Sequence, residues 1–125
     1  MIKLVYCVRR RADVSREEFF RYWLENHGAL FTGVARTLRG RRYVQSHATE
    51  LEATEKLDGG RGMGEPFDGI TEVWWDSLED LMQAMDTPEG RDAAQQLQTD
   101  EAKFVDFSQS RMMLTEEHEV FDFTS

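Results

Sequence analysis

The chain opens on an alternation. Ile2, Leu4, Tyr6 and Val8 fall on one side of an extended segment over 2–9, and Lys3, Val5, Cys7 and Arg9 fall on the other. The period then changes. Phe19, Trp23 and His27 recur at every fourth residue, and Phe20, Leu24 and Phe31 widen the stripe, which is the pattern of a helix with one apolar face. Ser15-Arg16-Glu17-Glu18 is a capping-box sequence, so the helix is expected to start there and run to about Leu38. Gly28 directly follows His27. A glycine inside a helix costs about 1 kcal/mol relative to alanine, so a kink or break is expected at that point.

Residues 41–49 alternate again, with Tyr43, Gln45 and His47 against Val44, Ser46 and Ala48. Both sides are fairly polar, which suits a strand at the edge of a sheet. The stretch 50–66 is charged and ends in Asp58-Gly59-Gly60-Arg61-Gly62-Met63-Gly64, which reads as a mobile loop of unusual length, a lid or a solvated connector. Phe67–Trp75 is a third strand, with Ile70, Glu72 and Trp74 on one face and Phe67, Thr71, Val73 and Trp75 on the other. Ser77 caps a short helix carrying Leu78, Leu81, Met82 and Met85, and Thr87-Pro88 restarts a helical run. Phe104–Leu114 is the last expected strand, and 115–125 is an acidic tail carrying Val120, Phe121 and Phe123.

Strand, helix, strand, strand, helix, strand is the split βαβ order of an α+β, ferredoxin-like βαββαβ sandwich with an antiparallel four-stranded sheet, built as a single domain over 1–125. Its helices cover one face of the sheet. The strands carry large apolar groups on both faces, so the uncovered face would be an extended apolar patch of the kind that marks association. A homodimer packed sheet to sheet is therefore predicted.

Composition narrows the partners. The formal net charge is −9, which argues against nucleic acid as a partner. The clusters Arg9-Arg10-Arg11 and Arg39 with Arg41-Arg42 run against that balance and read as solvated surface. No apolar run approaches the roughly 20 residues that span a bilayer, so no membrane association is expected. One cysteine, Cys7, and no leader-like N-terminus point to a reducing, cytoplasmic setting. His27, His47 and His118 are far apart and lack metal-ligand spacing, and no phosphate-loop or nucleophile-elbow motif is present, so no metal is expected.

The segment Tyr22-Trp23-Leu24-Glu25-Asn26-His27-Gly28 resembles the helix-1 motif of EthD-like proteins in the dimeric α+β barrel superfamily. Arg42–His47 resembles the second strand of that family, Phe67–Trp75 the third, and Asp100–Asp106 the stretch before the last. The resemblance covers roughly residues 2 to 121. It implies a fold that pairs sheet to sheet, a small organic ligand held between sheet and helices, and chemistry without a cofactor. EthD-like proteins are named for an accessory component of oxidative ether degradation. The superfamily includes lactone isomerases, polyketide cyclases and cofactor-independent monooxygenases. Its lactone-methylisomerase branch uses cysteine and histidine. Here Trp23 stands where that branch can carry a thiol, and Cys7 lies on the first strand, so thiol chemistry is not carried over.

His27 is the leading candidate for chemistry, because it puts a titratable imidazole beside an indole on an inward-facing stripe. A core histidine satisfied by one hydrogen bond is the alternative. Glu72, set between Ile70 and Trp74, is expected to be its acid–base partner if the helix stripe covers that strand face. A purely structural His–Glu contact is the competing role. Tyr6 and Tyr43 are candidate hydroxyl donors to a ligand, and Trp23 and Trp74 candidate stacking surfaces, although side chains at such positions more often serve packing. Three functions compete: a cofactor-independent catalyst of proton transfer, cyclisation or oxidation on an aromatic, lactone or polyketide-like compound; a non-catalytic accessory protein that binds a hydrophobic intermediate; and a purely structural dimer module.

Overall fold

The computed structural model describes residues 1–124. Its strands are β1 (Ile2–Val8), β2 (Arg42–His47), β3 (Gly69–Trp75) and β4 (Arg111–Thr115), in the sheet order β2-β3-β1-β4. All neighbours are antiparallel, with Leu4 opposite Val73 and Leu114, Tyr6 opposite Thr71 and Met112, and Tyr43 opposite Val73. Side chains alternate across a strand, so this register sends Leu4, Tyr6, Tyr43, Thr71, Val73, Trp75, Met112 and Leu114 to one face. The helices cover that face over β1, β2 and β3 and leave Met112 and Leu114 of β4 exposed. As expected for its polar composition, β2 lies at an edge.

Ser15 caps the first helix, its hydroxyl accepting from the Glu18 N–H at 3.1 Å. The helix runs as α1 (Arg16–Tyr22), a π-helical turn (Trp23–His27) and α2 (Gly28–Val34). The expected break at Gly28 is absent. Gly28 stays helical and its N–H donates to the Trp23 carbonyl, five residues back, so the helix widens instead of breaking. Such π turns collect at functional sites.

The 50–66 stretch differs from expectation. Leu51–Asp58 form a helix, α3, with no buried residue. Leu, Ala, Glu and Lys are good helix formers, and Gly59 ends the helix in the left-handed conformation (φ 60°). After it come α4 (Leu78–Met85), capped by Ser77, and α5 (Pro88–Glu101), with proline in its first turn. The last strand is shorter than predicted. Phe104 and Val105 are buried in the core, the Asp106 side chain caps a 3₁₀ turn at Phe107–Gln109, and β4 begins only at Arg111. No helix among the described residues is long and apolar enough to cross a membrane.

The core has two lobes. One gathers Phe31, Leu38, Val73, Trp75, Leu81, Ala93 and Leu97 under α2, α4 and α5. The other gathers Tyr6, Val8, Phe19, Trp23, Phe104 and Val105 under α1. Gly69 fixes the approach of α1 to the sheet. A β-carbon there would sit 2.5 Å from both the Ser46 carbonyl oxygen and the Trp23 indole. Gly69→Ala is therefore expected to cost about 1–3 kcal/mol of stability, the usual price of overpacking, read as a lower urea midpoint. A midpoint equal to that of the wild type would show that the indole is not seated against β3.

Candidate active site

A cavity of about 550 Å³ opens between the two core lobes, bounded by the inner face of β1, β3 and β4, by the π turn and by α4 and α5. Its wall is mostly apolar, with Leu4, Phe31, Val73, Trp75, Leu97 and Phe104 among the lining residues. Among the described residues no lysine or arginine lines it. Its polar groups are few: Tyr6, His27, Thr71, Gln98 and Glu101. An apolar hollow with a handful of convergent polar groups is the usual form of a small-molecule site.

His27 is buried on the π turn, and Phe104 packs edge-on against its ring at 5.3 Å. Its Nδ1 lies 2.8 Å from Asp100 Oδ2 at the end of α5. Desolvation pushes the Asp100 pKa up. The hydrogen bonds from Tyr22 and His27, with the nearby positive charge, outweigh it and hold the group below its ordinary value. Asp100 is thus a carboxylate and can only accept, so the proton of neutral His27 sits on Nδ1 and Nε2 presents its lone pair. Tyr22 Oη donates to the other Asp100 oxygen, and Lys103 Nζ stands 3.5 Å from it. Burial pushes the His27 pKa down, with Asp100 pulling the other way. The imidazole is therefore set up as a neutral base.

Glu101 follows directly and behaves oppositely. Its Oε2 is 3.9 Å from His27 Nε2, too far for a direct hydrogen bond and close enough for one ligand oxygen to bridge. Burial pushes its pKa up to about 7; the neighbouring Tyr6 hydroxyl lowers it and the charge of Asp100 raises it. At neutral pH this carboxyl exists in both protonation states. A basic nitrogen and a carboxylic acid thus face the same apolar space, the arrangement that general acid–base chemistry requires.

Of the residues singled out in the sequence, His27, Trp23 and Tyr6 line the cavity together. Trp23 is also stacked on His47 at 4.6 Å, and the Gln45 side-chain amide donates to the Trp23 carbonyl. Glu72 does not meet His27. It points from the outer sheet face, where its carboxylate takes a 2.7 Å ion pair from Lys3. The expected pairing assumed that the first helix covers the face of Ile70, Glu72 and Trp74, whereas the register turns Thr71, Val73 and Trp75 inward. Trp74 is likewise on the outer face, between the Lys3 and Arg42 cations, with its indole N–H donating to Glu117 at 2.6 Å. Tyr43 is on the inner face but behind the cavity wall, stacked on Phe31 at 4.4 Å, its hydroxyl accepting from Gln45 at 2.6 Å. Asp100 and Glu101 are candidate functional groups that the sequence did not single out. One signal was present: two acids close α5, where the helix dipole disfavours negative charge. Among the described residues no three metal-ligating side chains cluster.

The model of the EthD domain matches residues 11–108. The chain belongs to the EthD family. Solved structures share its fold. An EthD family protein from Bacillus halodurans aligns over 94% of this chain and 99% of its own, with a TM-score of 0.62 and 20% identity. A dimeric protein of unknown function with a ferredoxin-like fold, from Bacteroides fragilis, aligns over 93% and 95%, with a TM-score of 0.57 and 14% identity. SnoaB from Streptomyces nogalater, a cofactor-independent oxygenase, aligns over 95% and 94%, with a TM-score of 0.53 and 13% identity. At such identities the likeness is one of fold. No curated protein matches the sequence of this EthD-family chain.

The raised Glu101 pKa makes stability depend on pH. Between the ordinary value of 4.5 and about 7 the folded state binds more protons than the unfolded one, so stability falls as pH rises through that window and then levels. The loss is about 3 kcal/mol. His27 contributes with the opposite slope, since its lowered pKa gives stability that is present above 6.5 and lost as pH falls. Comparing Glu101→Gln with wild type isolates the first effect. The variant is expected to match wild type near pH 5 and exceed it by up to about 3 kcal/mol at pH 8, read from urea unfolding at both values. Parallel curves would show that Glu101 is solvated.

Proposed function

We propose that this EthD-family protein is a cofactor-independent catalyst of proton transfer on a small, largely apolar organic compound, with cyclisation or oxidation as the chemistry such a step can initiate. The observation that carries the reading is the pair His27 Nε2 and Glu101 Oε2, 3.9 Å apart at a mostly apolar cavity. His27, oriented by Asp100, removes a proton from carbon or hydroxyl. Glu101, protonated for part of the time at neutral pH, returns one. Tyr6 contributes a hydroxyl beside Glu101, and Trp23 gives the ligand an aromatic surface. With no cation on the wall, the site favours an uncharged ligand such as a phenol, enol, lactone or polyketide-like ketone over a carboxylate or phosphate.

The accessory reading, binding without chemistry, is favoured where all polar groups of a pocket are paired with one another. That holds for His27 Nδ1, Asp100 and Tyr22, which satisfy each other. It does not hold for His27 Nε2, whose nearest acidic group is Glu101 at 3.9 Å, and Glu101 itself has only the Tyr6 hydroxyl as a partner, so the catalytic reading rests on the open Nε2 and the raised carboxyl. Homodimer assembly through the outer sheet face belongs to the same proposal. Val5 and Val44 are half-buried there, Ile70 and Met113 are exposed, and the Bacteroides fragilis neighbour is dimeric. A cytoplasmic setting rests on the single free cysteine.

The test is proton exchange. A panel of phenols, β-diketones and lactones is incubated in D₂O, and deuterium incorporation is followed by NMR. Wild type is expected to accelerate exchange on at least one class. His27→Gln and Glu101→Gln are each expected to lose about 100-fold or more, while holding an apolar dye such as Nile red within about threefold of wild-type affinity. Full exchange activity in both variants would remove the acid–base pair. Binding of panel members without exchange by wild type would leave the accessory reading in its place. Sedimentation is expected to give twice the 14.6 kDa of one chain at micromolar concentration, and a monomer would remove the dimer.

A further inference from the structure

The cavity wall is unfinished on the side of β4. Met112 and Leu114 line the cavity, yet no helix lies over them and they are 60% and 45% exposed. Met82 and Phe107, also lining residues, stand half-exposed beside them. Four large apolar side chains thus rim an opening at an edge strand.

The chain's own C-terminal segment does not close it. After Thr115, paired with Lys3, the tail crosses to the outer face of the sheet. There Glu117 accepts from the Trp74 indole and lies 3.7 Å from Lys3 Nζ. The path runs from β4 across β1 to β3, on the side of the sheet opposite the cavity. Beyond it, Val120, Phe121 and Phe123 are 89%, 70% and 86% exposed, and the two phenyl rings stack only on each other at 4.8 Å. Exposed aromatics held clear of their own core are the mark of an association segment.

We propose that the tail of a second copy completes this site, its Phe121 and Phe123 closing the cavity rim formed by Met82, Phe107, Met112 and Leu114. This rests on the sheet-to-sheet dimer proposed above. In a two-fold pair of sheets with the axis along the strands, the order β2-β3-β1-β4 sets β2 of one copy against β4 of the other. A tail heading from β4 toward β2 on the outer face therefore heads for the partner's β4 edge. Its reach is sufficient. The six residue-to-residue steps from Glu117 to Phe123 extend up to about 20 Å, against about 10 Å for two strand spacings and about 10 Å between packed sheets. Charge agrees as well. Glu116, Glu117, Glu119 and Asp122 are carried into an interface whose sheet face presents Lys3, Arg42 and Arg111.

Cross-linking between non-identical copies tests it. F123C and M112C are made separately in a C7S background, co-expressed with different tags, and oxidised with copper–phenanthroline. A disulfide joining the two tags is expected, at a yield several-fold above that of an S46C and F123C pair. In parallel, the F121S/F123S double variant is expected to remain dimeric and to bind Nile red about tenfold more weakly than wild type. Dimers that give no tag-to-tag bond above the control, or a dimeric double variant with unchanged dye affinity, overturn the tail proposal and leave the dimer standing. Monomers in sedimentation overturn both.

Discussion

The hydrogen bond between His27 and Asp100 is the constraint on which the site depends. It joins the π turn of the first helix to the last turn of α5, elements separated by 73 residues in sequence, over a cavity that neither closes alone. Its chemical consequence is as important as its structural one. A carboxylate held below its ordinary pKa fixes the imidazole proton on Nδ1 and leaves Nε2 aimed at the hollow. Were Asp100 absent, burial would still keep the ring neutral, but nothing would choose its tautomer. Tyr22 and Lys103 serve the same end, since they satisfy the remaining oxygen of a buried carboxylate that would otherwise be costly.

Two adjacent acids on one helix end are thereby driven apart. Asp100 is surrounded by donors and stays charged. Glu101, one residue on, faces apolar wall and rises to about 7. The negative end of the α5 dipole and the charge of Asp100 both disfavour a second carboxylate there. Burial does most of the lifting of Glu101, and the charge that orients His27 adds to it. Separation of this kind comes from position alone and needs no metal or strained geometry to produce it.

Much of the fold could be read from periodicity. The alternation of Ile2–Val8 and Gly69–Trp75 marks the central strands, and the four-residue recurrence of Phe19, Trp23 and His27 marks the face of α1 that turns inward. What periodicity leaves open is which strand face a helix will cover. Both faces of β3 are apolar, so parity assigns Glu72 and Trp74 to a common face without saying that it is the outer one. The helix Leu51–Asp58 is hidden for a related reason: it buries nothing, so it has no apolar stripe to show, and only its glycine stop is visible. Asp100 and Glu101 escape notice because acids on an otherwise polar helix look like solvent contacts until the tertiary fold brings His27 against them.

The misplaced Glu72 is informative about the rest of the molecule. On the outer face it neutralises Lys3, while Lys3 and Arg42 flank the Trp74 indole and Glu117 takes its N–H. A ligand site needs unpaired polar groups to orient its guest, and here each of these groups already has a partner. An interface needs the reverse: paired charges that stay satisfied when water leaves, set among apolar contacts. The outer face meets that second condition and the inner face the first. Because strand side chains alternate, one β3 segment supplies both without compromise, Thr71 and Val73 to the cavity and Glu72 and Trp74 to the opposite surface. Under the proposed function the sheet is thus a partition between assembly and chemistry, and the division follows from a register that a one-residue slip would reverse.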